Sequence, residues 1–190
     1  VPKTLILKGE NLLQELESLE KHGVTAISLN RHFCGHRIKD LCFLKDYPFI
    51  TDVSISNDDF LLNGLYYLKG LERLVVLGGD TLDYSAFPCL RILDTRQPAP
   101  FNFPDSLQTL YVWYMKLKGK GLSSIKFPQS LRKLCILWSD IEDLAGLPSG
   151  LQHIEVSYNR KFTSLKGLEN CAQTLVELDV ENCPHLIEYS

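Results

Sequence analysis

Apolar residues return along this chain in a six-position frame: one apolar residue, two variable ones, a second apolar residue, one variable, and a last apolar position. The frame reads Val24-Thr-Ala-Ile27-Ser-Leu29, Ile50-Thr-Asp-Val53-Ser-Ile55, Leu71-Glu-Arg-Leu74-Val-Val76 and Leu90-Arg-Ile-Leu93-Asp-Thr95. It continues as Leu107-Gln-Thr-Leu110-Tyr-Val112, Leu131-Arg-Lys-Leu134-Cys-Ile136, Leu151-Gln-His-Ile154-Glu-Val156 and Leu175-Val-Glu-Leu178-Asp-Val180. Successive frames start 26, 21, 19, 17, 24, 20 and 24 residues apart. The alternation at its end predicts a short strand with one apolar side, and the leading residue packs at the edge of the same core. Each unit is therefore a strand plus a return segment. Since no unit can bury its apolar side alone, neighbours must stack with their strands parallel.

Ahead of the first frame, Thr4-Leu5-Ile6-Leu7-Lys8 reads as a strand, and Asn11 to His22 carries Leu12, Leu13, Leu16 and Leu19 at helical spacing, closed by Gly23. Residues 1–23 are thus an N-terminal strand-helix cap on about eight repeats over 24–190, all in one domain, 1–190. After repeat eight the chain runs only to Tyr189-Ser190, so either the last unit caps itself or the sequence is a piece of a longer protein.

In the last two units the frame extends: Leu151 to Asn159 spells LxxLxLxxN and Leu175 to Cys183 spells LxxLxLxxC. With these residues the chain resembles the leucine-rich repeat family from about residue 24 onward. The resemblance implies an α/β repeat solenoid, a horseshoe with a parallel β-sheet on its concave face and irregular, short 3₁₀ or helical returns on its convex face. It also implies that the Asn or Cys after the strand turns inward to bond backbone groups at the corner. The equivalent positions elsewhere are His32, Asp58, Gly79, Pro98, Met115 and Ser139, which departs from regular corners in the first six units. The 17-residue unit with Pro98, Pro100 and Pro104 has room only for extended chain or a 3₁₀ turn, whereas 24-residue units can hold a short helical stretch. Phe103-Pro104, Phe127-Pro128 and Leu147-Pro148 precede three frames. They resemble the proline-punctuated returns of bacterial leucine-rich repeats, although short returns are not confined to bacteria.

Alignment of the frames sorts the variable residues into columns about 4.8 Å apart on the concave face, at positions two, three and five and the two beyond the frame. Position five gives Ser28, Ser54, Val75, Asp94, Tyr111, Cys135, Glu155 and Asp179. The next exposed column gives Asn30, Ser56, Leu77, Arg96, Trp113, Leu137, Ser157 and Glu181, and the one beyond gives Arg31, Asn57, Gly78, Gln97, Tyr114, Trp138, Tyr158 and Asn182. Both tryptophans of the chain, Trp113 and Trp138, thereby join Tyr111, Tyr114, Tyr158, Leu77 and Leu137 on one face. Exposed aromatics on a rigid sheet are the composition of a binding hot spot. The alternative is that the tryptophans fold over the descending loops and cover the core edge. Arg73, Arg91, Arg96, Arg132 and Lys133 lie in the middle units, and Glu155, Glu177, Asp179 and Glu181 at the C-terminal end. That gradient either orients a partner with its own charge asymmetry or keeps the sheet soluble.

Composition narrows the function further. A net charge of -3 offers no general attraction to nucleic acid or anionic membrane. No apolar run approaches the roughly 20 residues that span a bilayer. Six scattered cysteines, an even count that permits three disulfides but shows no CxxC pair and no clustering in caps, read better as reduced, partly buried thiols of a cytoplasmic protein. His32, Cys34 and His36 form one short cluster with no second ligand pair, so no metal is expected, and no phosphate loop, nucleophile elbow or HExxH appears. No cofactor is expected. The resemblance and the columns together imply a non-enzymatic, monomeric module that binds a protein partner on its concave face. Its specific forms are a toxin-neutralising immunity protein, or the substrate-recognition or regulatory arm of a larger effector, ligase or signalling protein. An enzyme reading needs a catalytic domain outside these residues, and a structural reading needs self-assembly through a sheet edge.

Overall fold

Positions three to six of every frame form a strand, as alternation of apolar residues dictates. In the computed structural model, which describes residues 3–35, 37–56, 60–96 and 101–187, these strands build one nine-stranded parallel sheet in chain order. The strands are β1 (Thr4–Ile6), β2 (Ala26–Leu29), β3 (Asp52–Ile55), β4 (Arg73–Val76) and β5 (Ile92–Thr95), then β6 (Thr109–Trp113), β7 (Lys133–Leu137), β8 (His153–Ser157) and β9 (Glu177–Glu181). Register sets like position against like: Leu74 pairs with Leu93, Leu110 with Leu134, and Ile154 with Leu178. The columns drawn on the sequence are therefore physical rows, at least across strands β2 to β9.

Frame positions one, four and six of units two to seven are at most 2% exposed, and each large aliphatic buried this way contributes about 1.5–3 kcal/mol. In unit eight the same positions, Leu175, Leu178 and Val180, are only half-buried, because nothing described packs beyond β9. One core position is polar. Thr95 is fully buried, and its hydroxyl shares a 2.7 Å hydrogen bond with the phenol of Tyr84.

The N-terminal segment pairs β1 with β2 and adds helix α1 (Leu12–His22), which ends on Gly23 at φ 60°. Leu16 and Leu19 enter the core and Leu12 packs against it. Leu13, also expected on the apolar side, is 71% exposed, since it lies one residue, about 100°, off the stripe set by Leu12, Leu16 and Leu19. The carboxylate of Glu15 accepts the backbone N–H groups of Lys8 and Gly9 at 3.0 Å each and ties the helix to the end of β1.

Returns run on the other side of the sheet as 3₁₀ turns at Cys42–Asp46, Leu62–Tyr67, Tyr84–Ala86, Leu122–Ser124 and Leu168–Cys171. In the 24-residue units starting at Leu107 and Leu151 the helical stretch is only such a turn. Of the short proline-rich return, Pro98 and Pro100 lie outside the described residues, while Phe101 to Pro104 is non-helical. The Phe-Pro signals mark an aromatic spine: Phe103 stacks with Phe101 at 5.3 Å, with Phe127 at 6.2 Å and with Tyr84 at 6.3 Å. Hydroxyls just ahead of the frames clamp unit to unit. Ser106 donates to the Leu90 carbonyl at 2.8 Å, Ser130 to that of Leu107 at 2.6 Å, and Thr174 to that of Leu151 at 2.7 Å.

Candidate functional site

On the exposed face of the sheet, strand register places Tyr111 beside Asp94 and Cys135, and Trp113 beside Leu137. The row is less open than its residue types imply. Leu137, assigned from the sequence to the binding surface, is 9% exposed, and Cys135 is fully buried. Each sits mid-sheet with a neighbour on either side in register, Trp113 and Ser157 for Leu137, Tyr111 and Glu155 for Cys135. Cys135, between the larger Tyr111 and Glu155, loses its access to water. Burial, with the nearby Glu155 carboxylate adding to it, pushes the Cys135 thiol up to about 12, so it is a neutral, buried group. Leu77, in the same column of unit three, stays half-exposed.

Trp113 does not fold over the descending loops. It lies across the sheet toward β5, where its indole N–H donates to the Asp94 carboxylate at 2.7 Å. Burial raises the Asp94 carboxyl above the usual carboxylate range, while the indole N–H and the charges of Arg73 and Arg96 pull it back. The Arg96 guanidinium stands 5.8 Å from the Trp113 ring centre and 5.4 Å from that of Tyr114, and the Lys133 ammonium 5.5 Å from that of Tyr111, all within cation–π range. These contacts hold three of the expected aromatics in fixed orientations.

The column two beyond the frame behaves differently from a strand position. Tyr114, Trp138, Tyr158 and Asn182 have φ of 56, 55, 59 and 51°, the left-handed region that bulky residues rarely occupy. Two features impose it. The backbone N–H of Tyr114 reaches the Leu137 carbonyl, that of Trp138 the Ser157 carbonyl and that of Tyr158 the Glu181 carbonyl, which extends the ladder by one rung. The following residue then turns inward. Buried Asn159 donates to the carbonyls of Ile136 and Ser157 at 2.9 and 2.8 Å and accepts from the Ser139 N–H at 2.7 Å. Ser139 repeats the role one unit earlier by accepting from the Met115 N–H at 3.0 Å. Cys183 points its thiol at the Val156 carbonyl, 3.4 Å away. The corner is thus regular in units six to eight, with Ser139 serving where Asn was expected; Asp58 and Pro98 of earlier units lie outside the described residues.

This turn throws the preceding side chain outward, so the aromatics of adjacent units stack along the rim of the sheet. Tyr114 meets Trp138 at 6.1 Å between ring centres, and Trp138 lies parallel to Tyr158 at 4.4 Å and 1°. The three remain 47, 42 and 40% exposed. A left-handed bulky residue costs roughly 1–2 kcal/mol, and a stacked pair returns about 0.5–1.5 kcal/mol. Asn tolerates this backbone and already occupies it as Asn182. Changing Trp138→Asn is therefore expected to move the urea unfolding free energy by no more than about 1 kcal/mol, because strain relief offsets lost stacking. A loss beyond roughly 3 kcal/mol, the scale of a large core truncation, would show that the ring supports the core instead.

The charged columns split into paired and open groups. Arg73 bonds Asp52 at 2.9 Å, and His153 meets Glu177 at 3.0 Å across adjacent strands. Glu155 accepts from the Ser157 hydroxyl at 3.3 Å, and Asp179 is exposed on β9. Beyond Tyr158 the rim opens into a cavity of about 570 Å³ between units seven and eight, lined among others by Arg160, Asn182, Pro184 and Leu186. The outward column names Trp138, Tyr158 and Asn182 of its lining, but Arg160, Pro184 and Leu186 lie farther past the strand, where the frame carries no signal. Asn57 and Gln97, assigned to the outward columns, lie outside the described residues, as does His36. Residues Arg31–Cys34 of the histidine-cysteine segment form a one-turn helix, α2, capped by the Asn30 side chain on the His32 N–H. Among the described residues no group of three His, Cys, Asp or Glu side chains is placed to hold a metal ion. All six cysteines are free thiols. Among the described residues no helix is long and apolar enough to cross a membrane.

Searches with protein-family models and among curated proteins returned no match to this chain.

Proposed function

We propose that the chain is a leucine-rich repeat protein, a horseshoe solenoid, that acts as a non-enzymatic module and holds a protein partner against the concave face of its sheet. Eight frames in unbroken register, 3₁₀ returns and the inward Asn159 corner support the family reading. The observation that carries the binding reading is the aromatic rank Tyr111, Trp113, Tyr114, Trp138 and Tyr158 on three neighbouring strands and their rim. Three of these rings are at least 40% exposed, and Trp113 and Tyr114 are braced by Arg96. Pre-oriented Trp and Tyr side chains lose little freedom on binding and contribute most of the energy at interfaces. Arg73, Arg96 and Lys133 on one side, with Glu155 and Asp179 on the other, would orient the partner rather than anchor it. The groups on this face suit recognition: fixed rings, paired charges and a neutral buried thiol at Cys135. A monomer in a reducing, cytoplasmic setting fits the six free thiols.

Affinity capture from the source cell followed by mass spectrometry tests the reading. The native chain should enrich a partner that the combined Trp113→Ala, Trp138→Asn variant loses by at least about tenfold, or about 1.4 kcal/mol. The variant should still unfold cooperatively in urea. Undiminished capture by the variant, or its failure to fold, would overturn the proposal.

A further inference from the structure

The rim stack ends abruptly. Units five, six and seven each place a ring at the left-handed corner, whereas unit eight places Asn182 there with the same φ. One side of the Tyr158 ring is covered by Trp138, and both rings line the 570 Å³ cavity, which extends past them to Asn182, the corner residue of unit eight. Half-buried Val180 and Leu186 give this cavity an apolar floor, and Cys183 and Pro184 complete the wall. Arg160 stands at its edge, exposed, and among the described residues it has no acidic partner within ion-pairing distance. The volume falls in the range of small-molecule pockets, and its make-up is an aromatic wall, an apolar floor and one cation.

We infer that this cavity is a slot for one aromatic side chain of a protein partner, inserted as the next ring of the Tyr114–Trp138–Tyr158 stack, with a carboxylate beside that ring held by Arg160. Ring-on-ring stacking sets the choice of aromatic over aliphatic residue, because the face of Tyr158 offers a planar surface at the spacing that Trp138 already uses. The guanidinium sets the preference for a neighbouring carboxylate. The inference rests on the binding reading above; it shares Trp138 and Tyr158 with that aromatic rank, while Arg160, Val180 and Leu186 lie outside it.

Titration of the ¹⁵N-labelled full chain with N-acetyltryptophan, N-acetyltryptophanamide and N-acetylleucine, followed by amide chemical shifts, separates the contributions. N-acetyltryptophan should shift amides of Val180, Asn182, Cys183 and Leu186, bind more tightly than the amide, and far more tightly than N-acetylleucine. Tyr158→Asn, which keeps the corner backbone, should weaken it by about tenfold. Arg160→Gln should bring it down to the level of the amide, while Trp113→Ala should leave it unchanged. Equal binding of N-acetylleucine, shifts confined to other residues, or full binding by Tyr158→Asn would each overturn the slot. Should Trp113→Ala abolish partner capture while the probes fail to bind, the slot falls and the strand-face reading stands.

Discussion

Gly167→Ala is expected to lower the unfolding free energy by about 3–5 kcal/mol, or roughly 6–20 °C in Tm. A Cβ at Gly167 would fall inside the contact radius of the Leu144 carbonyl, and the residue holds φ +101°. Both terms act against alanine, and the obstructing atoms are backbone, unable to swing aside like the tip of a side chain. The return segments are bonded to each other here, with the Leu144 N–H donating to the Lys166 carbonyl at 2.8 Å, so relief would have to separate two units. Gly119→Ala supplies the control: its φ is +78° but open space surrounds it, so only the backbone term of about 1–2 kcal/mol applies. Urea unfolding followed by far-ultraviolet circular dichroism compares them. Equal losses in the two variants would show that the close approach of returns contributes nothing.

Gly167 also marks what went unread in the sequence. It stands in Leu165-Lys-Gly-Leu168, and Leu62-Asn-Gly-Leu65 and Leu144-Ala-Gly-Leu147 share the pattern. Gly64 of the first lies against the Leu41 carbonyl just as Gly167 lies against Leu144. A glycine two residues after a leucine looks like ordinary turn material until the backbone of the neighbouring return is known to pass beside it. By contrast, the strands were legible because one period, repeated eight times, leaves a single register in which every apolar position faces inward. Thr95 breaks that pattern without breaking the strand, since Tyr84, from the preceding return, brings a hydroxyl to meet it.

The candidate site was legible in part. Column assignment put Trp113, Trp138 and the tyrosines on adjacent rows, and register preserves those rows. Two properties lay beyond it. Depth within a crowded sheet depends on the neighbours in register, which is why Cys135, between Tyr111 and Glu155, is hidden while Trp138 at the rim is 42% exposed. Backbone conformation at the corner depends on the residue that follows. Nothing in Trp138 or Tyr158 itself announces a positive φ; the signal is the small polar residue next in line, Ser139 after Trp138 and Asn159 after Tyr158, once its bonds to neighbouring units are seen, whereas Tyr114, followed by Met115, carries no such signal.

That dependence makes Asn159 the residue through which stability and site are joined. Asn159→Ala removes two donated hydrogen bonds and one accepted bond in a fully buried setting, and leaves the Ile136 and Ser157 carbonyls and the Ser139 N–H without that partner. At about 1–3 kcal/mol for each strongly buried group, partly shared among the three, the expected loss is about 3–5 kcal/mol. The near-ultraviolet dichroism of the Trp138–Tyr158 pair should weaken as the corner loosens, even below the unfolding midpoint. Asn159→Ser should cost less, because Ser139 shows that a hydroxyl can serve one unit earlier. Asn159→Asp keeps the acceptor for Ser139 but turns a carboxylate toward two carbonyls. Only the protonated acid restores a donor, so its carboxyl pKa in the folded chain must rise above the unfolded value. The variant's stability should then be greatest at low pH and fall as the pH climbs from the unfolded carboxyl pKa, about 4, through the folded one, a slope the native chain lacks at this position. If Asn159→Asp and Asn159→Ala lose the same stability at every pH, the buried polar bonds are not what holds the corner, and the left-handed placement of Tyr158 must come from the strand ladder alone.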